Sequence, residues 1–149
     1  MTTHSETYPF VAFKDENGSI VRQPSTYLPI RITNPHTVKS TIIYALIDTG
    51  DDQCTFPESL AVERGHNFRG HGVQSENTIG VSGSTEVFMH TFDIDILTPD
   101  RSKIFASFEN ILISCVSTEI PALLGVDDCL NHFTLTIIDY PNMNIALKY

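Results

Sequence analysis

Short apolar runs that alternate with polar residues, separated by turn-forming residues, recur along the chain. This pattern predicts many strands and few helices. Tyr8 to Phe13 is the first run. Asp15-Glu16-Asn17-Gly18 then reads as a turn and Ser19 to Arg22 as a returning strand, so an N-terminal hairpin is expected within residues 1–22. Pro24 and Pro29 bracket Tyr27-Leu28, and Ile30 and Ile32 alternate with polar residues toward a turn at Asn34-Pro35. Ser40 to Ile47 is β-branched and continuous, which predicts a strand buried on both faces and ended by Gly50.

Thr55 to Gly65 carries the best helix signal. Pro57 suits the first helical position, Glu58 the positive end and Gly65 the C-terminal cap. Residues 66–77 are polar and read as a loop or irregular strands. Two glycines, Gly80 and Gly83, sit in a β-prone run from Thr78 to Thr85. Phe92, Ile94 and Ile96 then alternate with Asp93 and Asp95, which predicts a long hairpin with a glycine tip. Thr98-Pro99-Asp100 is a turn signal. Lys103 to Phe108 and Ile111 to Val116 read as two further strands. Pro121 to Gly125 is an apolar run ending in glycine, Val126 to Asn131 suits one or two helical turns, and Phe133 to Tyr140 and Asn144 to Lys148 read as paired strands. The expected fold is all-β, a barrel or sandwich with one or two short helices, in a single domain over residues 1–149.

Composition narrows the functional classes. A chain of 149 residues is long enough for a real core. The net charge is −9 and no Lys/Arg cluster is present, so nucleic acid is a poor candidate partner. No apolar run is long enough to span a membrane, and Met1 to Glu6 is polar, so a cytoplasmic protein without a membrane partner is expected. Cys54, Cys115 and Cys129 are odd in number and lack CxxC spacing, which suits reduced, buried thiols.

Candidate chemistry centres on Ala45-Leu46-Ile47-Asp48-Thr49-Gly50, where an apolar strand runs into a carboxylate. Two aspartates held about 3 Å apart cannot both ionise, so they share one proton and can act as acid and base together. Such a pair activates water and protonates a leaving amine, which is peptide hydrolysis. Asp and Gly are also ordinary turn residues, so the tripeptide alone is weak evidence. Leu123-Leu124-Gly125, a second apolar element ending in glycine, strengthens it.

Other candidates fall to simpler readings. His66 and His71 lack a third ligand at metal-site spacing and are expected to be solvated loop residues, with no metal and no cofactor. Asp93 and Asp95 suit a surface strand face, and Asp127 and Asp128 a helix N-terminal turn, without calcium-loop spacing. Cys54, five residues after Thr49, suits packing better than nucleophilic catalysis. No Gly-Lys-Ser/Thr follows the paired glycines, so they are not a phosphate loop.

Three elements together resemble the retroviral-type aspartic proteases (retropepsins) and their cellular and bacterial relatives. Ala45 to Asp52 resembles the family's active-site loop. Ile79-Gly80-Val81-Ser82-Gly83 resembles its glycine-rich flap, and Leu123-Leu124-Gly125 the element that packs beneath the loop. The likeness runs from about Leu28 to Asn144 and leaves the N-terminal hairpin outside.

The resemblance implies a closed, largely β subunit that pairs as a homodimer. Asp48 of each copy is catalytic, and Thr49, Gly50, Asp51 and Asp52 support the loop. The flap closes over an extended peptide or protein substrate. The chain holds a single Asp-Thr-Gly and no Asp-Ser-Gly, so symmetry has to supply the second carboxylate. Two positions depart from the family pattern. Asp51 stands where alanine is common, which implies a raised dyad pKa, a shifted pH optimum or a preference for basic substrate groups. Val126 stands where an arginine often follows the glycine, so Asp52 lacks that partner. The alternative is a weak or inactive module on the same fold that dimerises or binds peptides.

Overall fold

Period-two runs do become strands, and they gather into one large sheet and two small ones. The computed structural model describes residues 4–80 and 83–149. Among them the strands are β1 (Ser5–Pro9), β2 (Val11–Lys14), β3 (Ile20–Ser25), β4 (Tyr27–Thr33), β5 (Ser40–Ile47), β6 (Thr55–Pro57), β7 (Ser75–Gly80), β8 (Gly83–Leu97), β9 (Ile104–Val116), β10 (Leu123–Leu124), β11 (Leu135–Asp139) and β12 (Asn144–Lys148). One helix, α1 (Glu58–Glu63), and one 3-10 turn (Leu130–His132) complete the described elements.

The seven-stranded sheet runs β4-β5-β10-β6-β9-β8-β7, and β4 pairs again with β8, Ile30 standing opposite Ile96. Residues facing inward from these strands make the core: Leu28, Ile30, Ile32, Phe56, Phe92, Ile94, Ile96, Ile113 and Leu124 are all fully buried. The alternation Phe92-Asp93-Ile94-Asp95-Ile96 explains the register directly. Its apolar members enter the core, while Asp95 accepts from the Ser107 hydroxyl (2.7 Å) and lies 3.7 Å from Arg31. Phe56 and Phe92 meet edge to face with centroids 5.2 Å apart. A three-stranded sheet, β1-β12-β11, joins the two ends of the described chain, and β2 and β3 form the hairpin.

Several elements differ from the sequence-based expectation. Tyr8 belongs to β1, not to the hairpin; its hydroxyl donates to the buried carbonyl of Leu97 at 2.7 Å. β5 is not buried on both faces throughout: Ile42 is 44% exposed, and burial sets in at Ala45 and Ile47. Thr55 to Pro57 is strand rather than helix, because it pairs in parallel with Ser114 to Val116 and buries Phe56. Pro57, with φ −71° and ψ 152°, is therefore the N-cap of α1 and not its first residue. Gly65, with φ +94°, does close the helix.

The two strands expected over Lys103–Phe108 and Ile111–Val116 are one strand with a bulge. Asn110 adopts φ +54°, and its N–H is held by the Asp93 carboxylate at 2.8 Å. Val126 to Asn131 forms turns leading into the 3-10 turn rather than an α-helix, since Leu130 and Asn131 donate to carbonyls five residues back, at Gly125 and Val126.

Candidate active site

β5 delivers Asp48 to the loop that joins it to β6, and β10 lies between those two strands. Leu123 and Leu124 pair in parallel with Leu46 and Ile47, and Leu123 also pairs with Thr55. The loop is therefore wrapped around β10 and tied to it at both ends. Leu46 N–H donates to Ala122 O (2.8 Å) and Asp48 N–H to Leu124 O (3.0 Å). On the far side Val126 N–H donates to Asp51 O and Asp127 N–H to Asp52 O, both at 2.8 Å. Backbone groups that would otherwise be orphaned in an irregular loop are satisfied this way.

Gly125 occupies the tightest point. An added Cβ there would collide with the backbone of Gln53, whose nitrogen would lie only 2.8 Å away. Its N–H meets the Cys54 sulfur at 3.4 Å. Gly50 has a different task. Its N–H donates to Asp48 Oδ1 at 3.0 Å and orients the carboxylate. Among the described residues this is the side chain's single hydrogen bond, so the other oxygen is free. Asp48 is half-buried rather than sealed in the core, and Thr49 and Gly50 are exposed.

The hairpin of β7 and β8 brings its glycines together as predicted: Gly80 stands opposite Gly83, and Ile79, opposite Ser84, is 87% exposed. Val81 and Ser82 lie outside the described residues. Thr78, Gly83 and Thr85 of the hairpin share a cavity of about 300 Å³ with Asp51, Gln53 and Thr55 of the loop and β6, and with Leu123 of β10. The structure thus brings together the loop, the hairpin and β10. Asp48 and Gly125 are not among the residues that line this cavity.

Asp51 caps the loop. Its Oδ1 accepts Gln53 N–H at 3.1 Å and its Oδ2 the Thr55 hydroxyl at 3.3 Å. The Gln53 amide oxygen accepts the Ser114 hydroxyl at 2.7 Å. Asp128, expected with Asp127 in a helix N-terminal turn, sits in a turn that is not α-helical. Half-buried, it accepts the backbone N–H of Cys54 at 2.8 Å. Burial raises its pKa, the Cys54 N–H opposes that, and Asp127 and Asp51 add to the rise.

All three cysteines are free and buried. Burial pushes the Cys54 thiol up to about 12, which suits packing and not attack. His66 is also not solvated as expected. Its Nε2–H donates to Thr91 O at 2.9 Å and its ring lies 4.7 Å from that of His90. His71 is exposed as expected. Among the described residues, no three His, Cys, Asp or Glu side chains gather in a metal-binding group.

No family model matches the chain, and no curated protein matches it either. Solved structures do. The chain is similar to a retropepsin-like aspartic protease from Rickettsia conorii, with a TM-score of 0.58 and 16% identity over 100% of this chain and 96% of that one. The fold is retropepsin-like. EIAV protease, solved with a bound inhibitor, is a second relative in structure, with a TM-score of 0.53 and 18% identity over 74% of this chain and 89% of that one. Identities this low speak to the retropepsin-like fold alone.

Residues placed around the loop that the sequence did not single out are Gln53, Thr55 and Ser114 beside it and Asp128 beneath it. Thr55 reaches Asp51 only four positions away, but Ser114 meets Gln53 across 61 positions and Asp128 meets Cys54 across 74. No local pattern marks such a pair.

Proposed function

We propose that the chain is an aspartic endopeptidase that works as a homodimer. Two copies of Asp48 form the catalytic dyad at a two-fold axis, one protonated and one ionised. The ionised partner takes a proton from water as it attacks the peptide carbonyl, and the protonated partner polarises that carbonyl. Collapse of the tetrahedral intermediate then protonates the leaving amine. The carrying observation is the loop itself: Asp48 is aimed by Gly50 and bonded through its N–H to Leu124 of β10, and the loop beyond it is held by Val126 and Asp127.

In this reading the ring of pairings from β4 round to β8 and back is a closed barrel, and residues 1–149 are a single domain. Leu123, Leu124 and Gly125 pack beneath the loop. Ile79 to Gly83 is the flap over an extended peptide, which adds as a strand. Exposed Thr49 contacts the partner's loop, and no arginine locks the dimer, since Val126 occupies its place. Three reduced thiols suit a cytoplasmic setting.

Digestion of a peptide library between about pH 4 and 7 tests the assignment. Wild type is expected to cleave and Asp48→Asn to lose cleavage, while sedimentation gives the mass of a dimer. Cleavage that survives the substitution, or that comes from a strict monomer, overturns the shared site.

A further inference from the structure

The cavity between hairpin and loop has an uneven lining. Val87, Val116, Ile120 and Leu123 give it apolar walls, and Asp51 is the only ionisable group among the described residues that line it. Asp51 is half-buried, and each carboxylate oxygen takes one hydrogen bond from the protein, the Thr55 bond being long at 3.3 Å. A carboxylate can accept about four, so one that lines the cavity retains capacity for a further donor. Among the described residues no basic side chain lines the cavity to neutralise it.

We propose that Asp51 determines specificity, and that this cavity takes the side chain of a lysine or arginine from an extended peptide. The proposal rests on the peptide-cleaving reading above and names the substrate class of that site. The methylene stem of such a side chain lies along Val87, Val116, Ile120 and Leu123, where its apolar surface leaves water. Its charged head meets Asp51 in a charge-assisted hydrogen bond, sheltered by the hairpin. Neutral residues of the same length lose that bond, and acidic ones meet a like charge. The net charge of −9 favours the approach of cationic peptides in the same sense.

The test is binding of extended peptides carrying an uncleavable hydroxyethylene group at the scissile position. Lysine, norleucine, glutamate, arginine and its neutral isostere citrulline are placed in turn at each of the neighbouring positions. At one position lysine is expected to bind about tenfold tighter than norleucine, and arginine tighter than citrulline by a similar factor. Both ratios fall as salt is raised. Asp51→Asn keeps an acceptor for Gln53 N–H and should bring the lysine ratio close to one. The arginine–citrulline comparison needs no substitution and holds even if that variant folds poorly. Equal binding of charged and neutral peptides at every position, or a preference that Asp51→Asn leaves intact, overturns the proposal. Cleavable counterparts separate the two readings. Selective binding without cleavage supports the role of Asp51 and sinks the protease assignment; cleavage without selectivity does the reverse.

Discussion

Asp128 accepts the backbone N–H of Cys54 at 2.8 Å across 74 positions of sequence. One carboxylate thereby fixes the point where the loop bearing Asp48 turns into β6. Its replacement by alanine strands a donor on a fully buried residue, which costs about 1–3 kcal/mol. Asp128→Asn keeps an acceptor and should lose less than half of that. Urea unfolding of both variants measures the difference, and equal stabilities would rule out the hydrogen bond as the cause.

Gly125 is held by space rather than by backbone angle. Gly125→Ala drives a methyl into the Gln53 backbone, and backbone cannot swing aside as a flexible side chain does. A loss of about 1–3 kcal/mol is expected, with cleavage lost alongside because Asp48 moves with its loop. Thermal unfolding and peptide cleavage report the two effects separately.

His66 and His90 set an acid limit. Burial lowers the pKa of both; hydrogen bonds to Thr91 O and Phe68 O oppose this, and for His66 the neighbouring His90 adds to the lowering. The unfolded chain therefore binds protons that the folded chain refuses. Stability is full above the unfolded value of about 6.5 and falls as pH drops below it toward the depressed folded values. Asp128 works in the opposite sense: its raised pKa makes the fold gain as pH falls toward the ordinary aspartate value of 3.8. Melting temperatures from pH 7 to pH 5 should decline in wild type and decline less in His90→Gln, which keeps the donor to Phe68. An unchanged slope would exonerate the pair.

Tyr8 ties the terminal sheet to the large one through the Leu97 carbonyl. Burial, the largest cause, raises its phenol pKa far above the ordinary value, with Glu6 adding to the effect, so the hydroxyl stays a donor across the accessible pH range. Tyr8→Phe removes the donor to that buried carbonyl and should cost about 1–3 kcal/mol. Hydrogen exchange should quicken in β1 and β12 before it does in β5; uniform quickening would show that the bond does not join separate units.

Most strands could be read from the chain because their alternation is local and one face of each is buried. The loop at Asp48 stood out for a related reason: Asp48, Thr49 and Gly50 are contiguous, and the strand that leads into them is local. What failed depended on distant partners. Thr55-Phe56-Pro57 looks like a helix start on local preference, yet pairing with Ser114 to Val116 makes it a strand. Glu109-Asn110 looks like a turn between strands, yet Asp93 holds it as a bulge within one. His66 reads as loop until His90 and Phe92 are brought beside it. The cavity lining draws on several strands, so no window of sequence contains it.

β8 has a mechanical consequence. Val87 and Met89 pack with Val116 and Ile120, and Met89 N–H is pinned to Gln74 O at 2.9 Å. Beyond that clamp, Asn77 to Gly80 and Gly83 to Glu86 project as paired strand, with Asn77 to Ile79 and Gly83 to Glu86 exposed. The ribbon is a cantilever of about 13 Å at ordinary strand rise. Deflection of a cantilever grows with the cube of its free length, so adding or removing one residue pair should alter the compliance of the paired ribbon more than a substitution within it. The reach of the hairpin over Asp51 is then tuned by where Met89 grips, and not by a hinge.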